Sequence, residues 1–328
     1  MHESHRFSRN YATTVGFVGA HGGGIRRAVV GFIVRRVSTA LAVVVGALTL
    51  AQATMITTAG ADGATTTKAA FYLDIGGSAS LGVQPNSTDP HDERTNRGYA
   101  NDLVELMASK GLNLTLDQTG CSGETTSTML NGGDKCYPSP DSQLAEAIAF
   151  LSAHHDETGL VTVDLGFNDF MPCLRAMSVN DGCVDTQAPL MLQQLPEILT
   201  DLKAAAGPDV TFVGVGHYNP YLADTLRGTK GVRFSNASSV VVRTLNSDLS
   251  TIYRSFGISM ADVAKQFSGA AKGHVLVPGL GLVPPNVARV CELTWMCHPN
   301  SVPANIHPDD AGYAVIAAAI AALLPPTL

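Results

Sequence analysis

The chain has 328 residues and a formal charge of −7, with 21 Lys and Arg against 28 Asp and Glu. The acid excess lies beyond residue 68: residues 69–328 hold 14 basic and 26 acidic side chains, a formal charge of −12. That balance argues against nucleic acid or an anionic membrane as the main partner, because phosphate contacts need clustered Lys and Arg.

Residues 1–68 read as a leader. Arg26, Arg27, Arg35 and Arg36 precede a charge-free stretch over 37–61 with the core "ALAVVVGALTLA", and small residues, "TTAGADGATTT", follow. A positive flank, an apolar core and a small-residue exit describe a secretory signal, with cleavage expected between residues 59 and 70. An uncleaved N-terminal anchor is the alternative. A span needs about 20 predominantly apolar residues, and Thr49, Gln52, Thr54, Thr57 and Thr58 dilute the second half here. The remaining 69–328 reads as one domain of a secreted protein.

In chain order, "AFYLDI" (70–75) predicts a strand that stops at Gly76, Gly77 and Ser78. A helix is expected over 99–109 and a second strand in "LNLTLDQ" (112–118), followed by "TGCSGETT" (119–126). Apolar residues at helical spacing fill "SQLAEAIAFLSAHH" (142–155), and "GLVTVDLG" (159–166) is a third strand that ends in "GFNDF". A helix over 190–207, a strand over 209–218, a helix near 238–256 and a weaker strand over 257–263 come next. The Gly- and Pro-rich stretch 269–302 reads as an ordered loop, and "DAGYAVIAAAIAALL" (310–324) closes as an apolar helix. Strands and helices alternating at this spacing predict a parallel five-stranded sheet covered on both faces.

All six cysteines fall beyond the leader, and an even count behind an export signal reads as disulfides. Proximity suggests Cys121–Cys136, Cys173–Cys183 and Cys291–Cys297, one of fifteen possible pairings for six cysteines. No Cys-x-x-Cys pair exists to suggest zinc.

Ligands of open parallel sheets collect at the carboxyl ends of the strands. Ser78 follows the first strand, a glycine turn around Gly123 the second, Asn168 the third, and His307 in "NIHPDDAGY" precedes the last helix. A nucleophile, oxyanion donors and a general base are the inventory of acyl transfer.

These blocks, "IGGSAS", "GCSGETT", "GFNDF" and "IHPDDAGY", resemble in order the four signature blocks of the SGNH (GDSL) hydrolases. The resemblance covers about 71–324, and the cysteine placement with "CELTWMC" is similar to secreted actinobacterial esterases and lipases. It implies a flavodoxin-like three-layer α/β/α sandwich and ester hydrolysis through an acyl-enzyme on Ser78, with His307 as base. Ser78, Gly123 and Asn168 would form the oxyanion hole. A monomer acting on ester substrates, without cofactor or metal, is the expectation. An acyltransferase of cell-envelope lipids or glycans, or a catalytically silent binding protein on the same fold, are the alternatives.

The sequence departs from the family twice. Gly77 stands where an aspartate usually precedes the nucleophile, and Ala304 stands where the family places the acid that orients the histidine. A carboxylate there holds the imidazole tautomer, so a Ser–His dyad is predicted, with the His307 Nδ1–H donating to a backbone carbonyl near Ala304. Asp309 and Asp310, after Pro308, are expected to cap the final helix. Ser80 and His298 are the rivals of Ser78 and His307. His217 and Tyr218 are expected to line the pocket, which loops 80–97 and 269–302 would shape. His154 and His155 read as an exposed helix end, not a metal site.

Overall fold

The first strand, β1 (Ala70–Gly76), is buried along its whole length, as befits an inner strand. It pairs in parallel with β2 (Leu114–Gln118) on one side and β3 (Gly159–Asp164) on the other. Strands β4 (Val210–Val215) and β5 (Ser259–Ala261) extend the sheet in parallel, giving the order β2-β1-β3-β4-β5. This computed structural model describes residues 70–85, 92–269, 273–298, 304–325 and 328; the leader read at 1–68 lies outside them.

Side chains alternate across the inner strands, as a period of two requires. Phe71, Leu73 and Ile75 of β1 join Val161, Val163, Val210 and Phe212 against one helical layer, while Tyr72, Leu160, Val213 and Val215 meet the other. The first layer contains α2 (Thr126–Asn131), α3 (Gln143–Ala153), α4 (Asp181–Ala205) and α5 (Gly228–Ser255). The second contains α1 (Tyr99–Ala108), α6 (Pro285–Leu293) and α7 (Asp310–Ala321). The expected three-layer sandwich is therefore present, with the flavodoxin-like strand order. That order reverses between β1 and β3, and a doubly wound sheet opens a crevice at such a point.

Three expectations need correction. Helix α4 begins at Asp181, not near 190, because Asn180 caps it through a 3.1 Å bond from the Cys183 N–H. Helix α5 begins at Gly228 instead of near 238; its polar first turns, "GTKGVRFSNA", carry a weak helical pattern by themselves. The stretch 269–302 holds an antiparallel hairpin, Val275–Val277 with Gly281–Val283, and α6, whose Pro285 occupies a first-turn position where proline is welcome.

The disulfides are Cys121–Cys136, Cys173–Cys183 and Cys291–Cys297, the pairing that proximity suggested, with Cα separations of 5.9, 5.4 and 4.9 Å. Among the described residues, no helix is long and apolar enough to cross a membrane.

Candidate active site

Beyond the end of β1 the chain makes a tight turn whose form depends on Gly76. Its φ is +150°, and a Cβ there would lie 2.4 Å from the Asp164 carbonyl oxygen of β3. Only glycine lets these strand ends approach so closely. Gln143, fully buried at the start of α3, clamps the same residue: its Oε1 accepts the Gly76 N–H at 2.8 Å and its Nε2 donates to the Gly76 carbonyl at 3.1 Å. Next along the chain, the Ser80 hydroxyl donates to the Gly77 carbonyl at 2.8 Å, and Gln118 Nε2 donates to the Ser80 carbonyl at 2.6 Å. Ser80 is thus a buried brace. Ser78 is partly exposed and lines a pocket.

That pocket lies at the β1–β3 switch point and has about 520 Å³ of empty space, part of it open to solvent. Its walls come from four places: Gly77–Ala79, Asp164 to Asn168, His217 to Pro220, and Ile306 to Pro308. Ser78, Asn168 and His307 therefore share one cavity, and His217 and Tyr218 line it as expected. Loops 80–97 and 269–302 supply no described residue to the walls, contrary to expectation. The described walls come from the turns that follow β1, β3 and β4 and from the loop before α7.

Gly123 is not among the lining residues. It is exposed, with a φ of +93°, in the turn just outside. It is connected to the pocket through its neighbour, since Asn168 Nδ2 donates to the Glu124 carbonyl at 3.0 Å. That bond uses one of the two amide hydrogens and leaves the other free to serve a ligand. Gly77 makes room for the same amide: a Cβ at position 77 would fall 2.6 Å from Asn168 Nδ2. The glycine in place of the family's aspartate therefore has a steric reason. Asp169, next along, is buried and accepts from the Thr126 N–H at 3.2 Å and the Thr126 hydroxyl at 2.6 Å, bracing α2.

His307 is buried beside the pocket mouth, and its Nδ1 lies 2.7 Å from Asn305 Oδ1. The expected backbone partner near Ala304 is replaced by this side-chain amide. Asn305 Nδ2 donates in turn to Asp92 Oδ1 at 2.5 Å, and Asp92 Oδ2 stands 3.7 Å from His307 Nδ1. Burial lowers the His307 pKa, and the Asp92 charge opposes that shift. The Tyr218 hydroxyl donates to the Ile306 carbonyl and holds the preceding residue, while its ring stacks on Phe267 at 4.2 Å. His298 stacks on Trp295 outside the pocket. Asp309 caps α7 by accepting the Gly312 N–H at 2.9 Å, and Asp310 accepts from Gln84 and Arg97. His154 ends α3, stacked on Phe150, and His155 is exposed.

A second imidazole faces the cavity in a different state. His217 Nε2 lies 2.9 Å from the Leu165 carbonyl, which can only accept, so Nε2 carries the hydrogen. Nδ1 is then a lone pair, 3.5 Å from Asp164 Oδ1. Burial lowers His217 to about 4 and raises Asp164 to about 7, so this pair is a neutral ring beside a carboxyl group and not a salt bridge.

No family model and no curated protein matches the sequence. Among solved structures, phospholipase A1 from Streptomyces albidoflavus NA297 superposes with a TM-score of 0.52 over 77% of this chain and 99% of its own, at 19% identity. The chain has the SGNH hydrolase fold. The extracellular lipase from Streptomyces rimosus also aligns, at 20% identity over 77% of this chain and 100% of that one, with a TM-score of 0.47. On the SGNH fold found here, the positions that the four sequence blocks mark fall at the carboxyl edge of the sheet.

Proposed function

We propose that the protein is a secreted serine esterase or lipase that hydrolyses carboxylic esters through an acyl-enzyme on Ser78. The observation that carries this reading is the meeting of Ser78, Asn168 and His307 in one pocket at the switch point. The name of the similar phospholipase A1 points to the same class of bond. Three disulfides suit an oxidising, extracellular setting.

In the proposed reaction, His307 Nε2 takes the proton of Ser78 Oγ as that oxygen attacks the ester carbonyl. The developing oxyanion is held by the Ser78 N–H and by the free hydrogen of the Asn168 amide; the third expected donor, the Gly123 N–H, belongs to the turn just outside the pocket walls. His307 then protonates the leaving alcohol, and water repeats the sequence to release the acid. Ala79, Phe167, Pro220 and Ile306 give the acyl chain an apolar wall.

The test is labelling with a fluorophosphonate, followed by a hydrolysis series across acyl chain lengths. Wild-type protein is expected to bind one equivalent, lost in Ser78→Ala, with ester turnover lost alongside. An unlabelled wild type, or a Ser78→Ala variant that still takes up the probe, would overturn the reading.

A further inference from the structure

The surroundings of His307 fix more than its position. Asn305 Oδ1 accepts the His307 backbone N–H at 2.9 Å as well as facing Nδ1 at 2.7 Å. A backbone N–H can only donate, so the atom before it must be the amide oxygen. With the oxygen placed at that end, the NH₂ group stands at the other, where it donates to Asp92 Oδ1. Both ends of Asn305 are therefore assigned by chemistry. It follows that Nδ1 of His307 carries the hydrogen and Nε2 presents a lone pair to the pocket.

We infer that Asn305 and Asp92 together replace the missing triad acid, with Asn305 as the residue that sets the imidazole tautomer and Asp92 as the charge behind it. This rests on the reading of Ser78 and His307 as nucleophile and base. In a triad, one carboxylate performs both tasks, orienting the ring and stabilising the imidazolium. Here the tasks are divided between a neutral amide in direct contact and a carboxylate one residue further out. The proton on Nδ1 stays there throughout, and Nε2 alone exchanges protons: it passes that of Ser78 Oγ to the leaving alcohol, then that of water back to Ser78 Oγ.

The two members come from distant parts of the chain, and a separate network keeps them together. Asp92 belongs to a short antiparallel ribbon, Gln84–Pro85 with Asp92–Glu93. Trp295 Nε1 donates to Gln84 Oε1 at 3.0 Å, and Gln84 Nε2 donates to Asp310 Oδ1 at 2.8 Å. Trp295 also grips the histidine loop, donating its N–H to the His307 carbonyl at 3.1 Å and accepting the Asn305 N–H at 3.2 Å. Tyr313 of α7 donates to the Val83 carbonyl at 2.7 Å. Ribbon and histidine loop are thus fastened to each other and to α7, so the Asp92–Asn305 contact is held from both sides.

The experiment compares kcat/KM against pH, on a short-chain p-nitrophenyl ester, for the wild type and four variants. His307→Ala tests the underlying reading: if it keeps near-normal turnover, the hydrolase assignment itself fails. Asn305→Leu removes the acceptor and is expected to lose on the order of 10²–10⁴ in turnover, the upper figure being the cost of a wrong tautomer in a serine protease triad. Asp92→Asn keeps a hydrogen-bonding side chain but removes the charge. Losing the charge that steadies the imidazolium is expected to cost about 10-fold in kcat/KM, with the acid limb of the profile moved to lower pH. The double swap Asn305→Asp/Asp92→Asn puts a carboxylate directly on Nδ1; it is expected to recover activity to within about 10-fold and to move the acid limb to higher pH. A merely structural role for the pair would lower activity without moving the limb in opposite directions. If His307→Ala is dead while Asp92→Asn and the swap leave the acid limb where it is, the inference is wrong and the hydrolase reading stands. Should Asn305→Leu fail to fold, these last two variants decide the matter, because the Asp92 side chain is 41% exposed.

Discussion

The two halves of the site are supported in different ways. On the serine side, the turn after β1 is bound into the core: Gly76, Gln143, Ser80 and Gln118 are linked by bonds of 2.6–3.1 Å, and Ser80 and Gln143 are fully buried. On the histidine side, His307 is oriented by Asn305 and Asp92, which lie on a surface loop and a two-residue ribbon. The geometry around Ser78 is therefore part of the fold, whereas that around His307 is added at the rim. Damage to the serine side should cost stability and activity together, while damage to the histidine side should cost activity alone.

The largest break is expected from Gly76→Ala. The added Cβ would meet the Asp164 carbonyl at 2.4 Å in a backbone region that L residues rarely adopt. Strain and overpacking together should cost roughly 2–5 kcal/mol, read as a lowered Tm or a loss of soluble protein. A Tm unchanged from wild type would show that the serine turn is not built into the sheet.

Gln143→Leu comes next. It leaves the Gly76 N–H and one Glu124 oxygen without their donor or acceptor in a dry setting. Each buried orphan costs about 1–3 kcal/mol. Denaturant unfolding should therefore report a loss of roughly 2–6 kcal/mol, with turnover falling as well. Asn168→Ala is the contrasting case, since its amide is only partly buried at the pocket wall. Loss of one oxyanion donor should lower turnover by about 10²–10³, with little change in Tm. Near-normal turnover would remove Asn168 from the oxyanion hole.

The same contrast explains what the sequence made legible. Strands β1 to β4 announce themselves because inner parallel strands are nearly continuous apolar runs, and each site block sits directly after one of them or before α7. The serine turn, Asn168 and His307 were therefore readable from local pattern. Asn305 and Asp92 were not, because they lie 213 positions apart and meet only through the ribbon and Trp295. Ala304 stands out as a missing acid, whereas nothing local marks its neighbour Asn305 as the partner of the ring. Gln143 stayed hidden for a similar reason, reading as an ordinary helix-start residue although it clamps a strand end 67 positions earlier. The early residues of α4 and α5 are polar and interrupted by Pro189 or by Gly228 and Gly231, so intrinsic propensity does not mark where those helices begin.

The smallest expected effect concerns pH and sharpens the comparison without breaking it. Burial raises the carboxyl groups of Asp74 and Asp164, beneath the serine turn, to about 7, and that of Glu124 to about 8. Asp74 accepts from Thr162 at 2.7 Å and Tyr99 at 2.8 Å, which lower its value but do not outweigh desolvation. In the unfolded chain such groups titrate near 4, so the unfolded state gives up its protons first as pH rises. Each group thus contributes stability that is full below about pH 4 and is lost progressively up to its folded value, by at most about 1.4 kcal/mol per pH unit. The Tm should therefore fall between pH 5 and pH 8, and Asp74→Asn, which mimics the protonated acid, should flatten that fall. Asp92→Asn, on the exposed histidine side, is the control variant for that slope. An equal flattening by both variants would mean that the two supports are one electrostatic unit, and a flat wild-type profile would mean that the carboxyl groups under the serine are ionised and paired.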